Sequence, residues 1–155
     1  MKHINIFQSK RVMKEQKIFK IIILEDSETY NDILTKQLEH FTAMLAMERN
    51  CRFEIQSYTS PNDFLRNLKN DTDIAFVDYY LGNGITGLEI LKKIKEKCWD
   101  CKVIIISQAR NIKTTVLSVT EGVADFIFKD NHALSKSCFI LEEIINASHS
   151  RHAMN

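Results

Sequence analysis

Ile74-Ala75-Phe76-Val77-Asp78 is an apolar run that ends on a carboxylate and opens at once into a loop over residues 79–86. A short β-rich run of this kind reads as a strand buried on both faces, and open α/β sheets bind ligands at the carboxyl ends of such strands. Asp78 is therefore a candidate site residue. The pattern recurs: Phe19-Lys20-Ile21-Ile22-Ile23-Leu24 runs into Glu25-Asp26, Val103-Ile104-Ile105-Ile106 into Ser107, and Phe126-Ile127-Phe128 into Lys129. If these strands are parallel, three carboxylates, a hydroxyl and an ammonium converge on one edge of one sheet.

Between the strands lie helical patterns. Ser27 can cap a helix that carries Tyr30, Ile33, Leu34, Leu38 and Phe41 on one face and runs on through Met44, Leu45 and Met47. Phe53-Glu54-Ile55-Gln56-Ser57-Tyr58 alternates as an edge strand, and Ser60-Pro61 opens a helix bearing Phe64, Leu65 and Leu68. The loop after Asp78 holds Gly82 and Gly84 and ends near Gly87, three of the four glycines of the chain, which predicts a sharp turn above the site. Thr86 then caps a helix with capping-box spacing to Glu89; Leu88, Leu91 and Ile94 form its apolar stripe, and Lys92, Lys93 and Lys95 its wet side. Further helices are expected over about 112–121 and 134–147.

Five strands alternating with five helices predict a flavodoxin-like, doubly wound parallel sheet of order 2-1-3-4-5 with helices on both faces. The crevice outside strands 1 and 3 would hold Glu25, Asp26 and Asp78 together. Three crowded carboxylates repel one another, so either some bind protons or a cation is present, and oxygen ligands around an open position suit Mg2+.

The 155 residues, with a formal net charge of +1, leave room for one domain over 17–147, an amino-terminal extension over 1–16 and a carboxyl-terminal tail over 148–155 that carries His149 and His152. The extension, with Lys10, Arg11 and Lys14, reads as a flexible arm or a short accessory helix. Near-neutral charge does not suggest direct nucleic-acid binding, and neither a membrane span nor a secretory leader is visible, so a cytoplasmic protein is expected. Cys98-Trp99-Asp100-Cys101 follows a helix and precedes a strand, the reverse of a thioredoxin-type pair, and Cys51 and Cys138 lack partners at zinc-ligand spacing. Reduced thiols around a turn are the reading.

In this order the strand ends resemble the receiver domains of two-component response regulators, of the chemotaxis-type single-domain kind, over Lys17 to about Ala147. Glu25-Asp26 would be the acidic pair, Asp78 the phosphoacceptor, Ser107 the switch hydroxyl, Lys129 the family lysine and Phe126 the switch aromatic. The resemblance implies that Asp26, Asp78 and the backbone carbonyl of Tyr80 ligate Mg2+, with Glu25 acting largely through bound water. It further implies a sensor histidine kinase or histidine phosphotransfer protein as donor and a downstream protein target. The protein would be no enzyme in the ordinary sense, but a phosphoacceptor that catalyses its own phosphoryl transfer and autodephosphorylation. Asp130 stands where most receivers have proline, Gln108 where a small residue is usual, and Phe126 where tyrosine is commoner. The alternative is a receiver-like interaction module that is never phosphorylated. A haloacid-dehalogenase-type enzyme fits less well, since Asp78-Tyr79-Tyr80 lacks the second aspartate that class needs as its acid/base.

Overall fold

The computed structural model describes residues 15–119 and 122–153. Five parallel strands, β1 (Lys17–Leu24), β2 (Cys51–Tyr58), β3 (Ile74–Asp78), β4 (Lys102–Ser107) and β5 (Val123–Phe128), form one sheet of order β2-β1-β3-β4-β5. The helices are α1 (Glu28–Arg49), α2 (Pro61–Asn67), α3 (Gly87–Lys97), α4 (Lys113–Val119) and α5 (Ala133–Ala153). The expected doubly wound architecture is the observed one.

Strand alternation divides the core in two. Phe19, Ile21, Ile23, Ile74, Phe76, Ile104, Ile106 and Ile127 face α1 and α5, where Leu34, Leu38, Leu141 and Ile145 meet them. Ile22, Leu24, Ala75, Val77, Val103, Ile105 and Phe126 face α2, α3 and α4, against Phe64, Ile90, Ile94 and Val116. All five residues of β3 are buried, as a central strand covered on both faces must be. The register places Asp78 beside Ile106 and Ser107 beside Phe128, so the polar ends of β3, β4 and β5 stand at nearly one level.

Local chemistry sets the helix starts. Ser27 Oγ accepts from Tyr30 N–H and Ser60 Oγ from Asp63 N–H, with Pro61 in the first turn of α2. Thr86 occupies the N-cap of α3 but its side chain makes no capping bond, so the expected capping box is absent.

Several boundaries differ from expectation. β2 starts two residues earlier, at Cys51. A 3-10 turn at Arg110–Ile112 precedes α4, and the expected end of that helix at 120–121 lies outside the described residues, as do residues 1–14 of the extension. The last helix runs six residues beyond Ala147. Its added turns are anchored: the His149 ring lies 5.8 Å from that of Phe19, and its Nδ1 is 2.9 Å from Ile145 O. On α1, Ile33 points outward, while the polar Asn31 and Thr42 are buried in its place. Lys95 bonds the carbonyls of Trp99 and Cys101 rather than marking a wet face, closing the turn between α3 and β4.

All four cysteines are free and buried. Cys98 Sγ lies within hydrogen-bond distance of Asn70 O (3.1 Å) and Thr72 O (3.2 Å), and burial pushes the Cys101 thiol up to about 12. These thiols are structural. No described helix is long and apolar enough to cross a membrane.

Candidate phosphoryl-transfer site

The acidic pair is fixed by backbone pairing and one buried amide. Glu25 N–H donates to Tyr58 O (3.1 Å), and Asn31 Nδ2 donates to both Glu25 O (3.1 Å) and Tyr58 O (2.9 Å), tying the ends of β1 and β2 to the first turn of α1. Glu25 Oε1 accepts from Ser27 N–H (3.0 Å), which turns its carboxylate inward, while Asp26 is exposed. Asn31 is a positioning residue that the sequence reading missed, because a lone Asn in a helix pattern carries no signal of its own.

Asp78 projects from the buried end of β3. Tyr79 N–H continues the ladder to Ile106 O (2.8 Å), and the chain then turns through Gly82, Asn83 and Gly84, all with positive φ. The predicted sharp turn is therefore present, made by three successive left-handed residues. Gly87 brings α3 back against the strand end: a Cβ there would stand 2.7 Å from Asp78 O, so only glycine permits the approach.

One carboxylate oxygen each from Glu25, Asp26 and Asp78 lies within 4.8 Å of the others. Lys129 Nζ stands 2.6 Å from Glu25 Oε2 and 3.2 Å from Asp78 Oδ1. The Glu25 contact is an ion pair by distance, but Glu25 Oε2 has no hydrogen bond of acceptable angle although it is buried. Burial, and next the Glu25 carboxylate, push the Asp78 carboxyl up to about 7 against the opposing pull of Lys129. One ammonium pairs with two of three clustered carboxylates, which leaves room in the charge balance for a cation.

These groups line a cleft of about 160 Å3 together with Ser27, Tyr80 and Gln108. Gln108, which stands where a small residue is usual in the family, thus lines the site. Tyr80 is half-exposed, and its ring meets that of Tyr79 edge-on at 4.7 Å. Ser107 is buried, its Oγ accepting from Ala109 N–H (3.1 Å) at the start of the β4–α4 loop. Lys129 N–H donates to Ser107 O (2.8 Å), which locks the lysine to the hydroxyl-bearing strand. Asp130 uses the amide that a proline would lack, donating to Phe128 O (2.9 Å), and among the described residues no peptide bond is cis. Phe126, at 2% exposure, sits inside the core beside α4.

Tyr30 also belongs to this surround, although the sequence showed it only as an apolar-face residue of α1. Its ring centroid is 4.6 Å from Lys129 Nζ, and its buried hydroxyl has no hydrogen-bond partner.

The response regulator receiver domain model matches residues 21–136, and the chain belongs to that family. Receiver domains are the phosphoaccepting modules of two-component signalling. Solved structures with the same fold include a response regulator receiver domain protein from Clostridium thermocellum, at 21% identity and a TM-score of 0.67, covering 84% of this chain and 97% of that one. The response regulator TrrA from Thermotoga maritima, solved in complex with Mg2+-BeF, aligns at 19% identity and a TM-score of 0.62, over 81% and 98% of the two chains. The non-phosphorylated HemR receiver domain from Leptospira biflexa aligns at 22% and 0.64, over 82% and 94%. No curated protein matches the chain.

Proposed function

We propose that Asp78 accepts a phosphoryl group from a phosphohistidine on a sensor histidine kinase or a histidine phosphotransfer protein. The observation that carries this reading is the placement of the Asp78 carboxylate in an open cleft, with Lys129 Nζ at 3.2 Å and two further carboxylates at the same strand ends. In the transfer, an Asp78 oxygen forms the new P–O bond, the P–N bond to the donor breaks, and imidazole leaves with the bonding pair. Little covalent chemistry is asked of the protein beyond alignment and charge neutralisation.

Asp78 must be ionised to attack. Burial and Glu25 oppose this, and Lys129 favours it. The all-oxygen donor set and the surplus of negative charge fit a hard divalent ion. Asp26, Asp78 and the backbone carbonyl of Tyr80 would hold Mg2+, with Glu25 in support. Bound there, the ion supplies neutralisation of charge on the phosphoryl oxygens.

Readout follows from Ser107 and β5. The Ser107 hydroxyl, now bonded to Ala109 N–H, would turn to a phosphoryl oxygen and draw the β4–α4 loop inward. Phe126 is buried on the α4 side of β5, and a protein target would detect the change at the surface of α4, β5 and α5. The resemblance implies a ring that turns from exposed to buried, whereas Phe126 is already buried, so the readout would come from the loop rather than from that turn. We further propose that the protein acts in the cytoplasm as a receiver signalling to a separate protein target, without direct contact with nucleic acid.

Incubation with a small phosphodonor, with Mg2+ or with excess chelator, tests the reading. Labelling that depends on the ion supports it; a protein unlabelled under both conditions would leave an interaction module that is never phosphorylated.

A further inference from the structure

The Lys129 ammonium ends a flexible stem among three carboxylates, with exposed Asp130 next in the chain, so charge alone offers it several resting places. In the structure it stands between Glu25 Oε2 and Asp78 Oδ1, with the Tyr30 ring facing it at 4.6 Å. Tyr30 is rigidly placed. It lies in the first turn of α1, its N–H bonded to Ser27 Oγ (3.3 Å), and it packs against the core cluster beneath α1 and α5.

The hydroxyl does not explain the residue. It is buried and unpartnered, a condition that costs stability. Burial, with Glu25, Asp78 and Asp130 adding to it, pushes the phenol up to about 12, so it stays neutral and offers no charge to the lysine. The ring face does offer something, since a cation over an aromatic face is attracted by the ring quadrupole, more strongly where water is excluded.

We propose that Tyr30 is a positioning residue for phosphoryl transfer, its ring face holding the Lys129 ammonium against Glu25 and Asp78. This rests on Asp78 being the phosphoacceptor. The ring supplies a third wall that bears no competing negative charge, so the ammonium keeps its donors for the acidic oxygens and for the phosphoryl group that would join them.

Labelling rates with a small phosphodonor at saturating Mg2+ test this, with thermal melting as the check on folding. Tyr30→Phe keeps the ring and should label within two-fold of wild type, about the smallest change such an assay resolves. Pentafluorophenylalanine in place of Tyr30 keeps the shape but reverses the quadrupole, and should slow labelling about three- to ten-fold. Tyr30→Leu, which removes the π face, should slow it similarly. In a Lys129→Ala background none of these changes should slow the residual rate further, because the ring acts through the ammonium. A Tyr30→Phe rate as low as that of Tyr30→Leu would overturn the proposal in favour of the hydroxyl. Equal slowing with and without Lys129 would overturn it in favour of a purely structural ring. A wild-type protein that never labels would instead remove the phosphoacceptor reading itself.

Discussion

At the carboxyl edge of the sheet, Asp78 is pushed up to about 7 among Glu25, Asp26 and Lys129 in a cleft open to solvent. At the amino edge, Cys101 is pushed up to about 12 in the turn that leads into β4, where Cys98 Sγ lies against two carbonyls and Lys95 bonds two more. Both edges bury ionisable groups. At the cysteine edge, burial above all keeps the Cys101 thiol neutral. At the acidic edge, burial is set against neighbouring charges that one lysine does not balance, and the Asp78 proton is lost near neutral pH. Burial by itself makes a group inert, whereas burial with unbalanced charge and an open cleft makes it available for chemistry.

Lys129→Ala breaks the balance most sharply. No other cation among the described residues pairs with the acidic cluster, so phosphorylation should slow about a hundred-fold, or ~3 kcal/mol. Lys129→Arg should rescue poorly, because a planar fork does not fit the place of a point charge. Labelling time courses measure both.

The pH dependence of stability sharpens the same contrast. The folded-state value of Asp78, about 7, lies above its ordinary 3.8, so the folded protein binds the proton more tightly than the unfolded chain. Without metal, this group costs stability progressively as pH rises from about 4 through about 7, and below that window the cost disappears. Asp78→Asn removes the cost. Its melting temperature should exceed that of wild type by a few degrees at roughly pH 8, on a scale of about 2–4 °C per kcal/mol, and by less at roughly pH 5. Mg2+ should raise the wild-type value at the higher pH and do little for the variant.

A smaller effect is expected at the cleft mouth. Tyr80 lines the site while resting edge-on against Tyr79, and we propose that its bulk shields an acyl phosphate on Asp78 from attacking water. Tyr80→Asn should shorten the phosphorylated lifetime by about two- to five-fold, roughly 1 kcal/mol or less, through better access of water. A decay time course measures it, and an unchanged or slower decay removes the shielding role.

The cysteine edge should give no functional effect at all. Cys98→Ala and Cys101→Ala should label at the wild-type rate while each lowers stability by about 1 kcal/mol through the cavity left behind. Thiol reagents should react with the native protein only as fast as it opens.

The contrast between the edges was legible in the sequence to the extent that it is written in strand ends. A strand followed by a carboxylate, hydroxyl or ammonium appears as an apolar run with a polar stop, which is why Glu25, Asp26, Asp78, Ser107 and Lys129 could be named and the sheet order expected. Asn31 and Tyr30 escaped because their roles come from helix placement across the crevice: one Asn spans two carbonyls, and one ring meets an ammonium nearly a hundred residues away in the chain. The long last helix escaped for a related reason. Ser148, His149 and Ser150 read as tail residues until Phe19 supplies a surface for the His149 ring. The helical pattern puts Lys95 on the solvent face because periodicity gives the direction of a side chain but not the carbonyls within its reach.

Asp78 is the residue on which the proposed function turns. Wild-type protein and Asp78→Asn, each incubated with a small phosphodonor and Mg2+ and examined by intact mass and by peptide mapping after acyl-phosphate trapping, give the most direct test. The wild type should gain one phosphoryl group on the peptide containing Asp78, and Asp78→Asn should gain none while melting as a folded protein. Labelling of Asp78→Asn at the wild-type rate, or a phosphoryl group mapped to another residue, would contradict the assignment of this site.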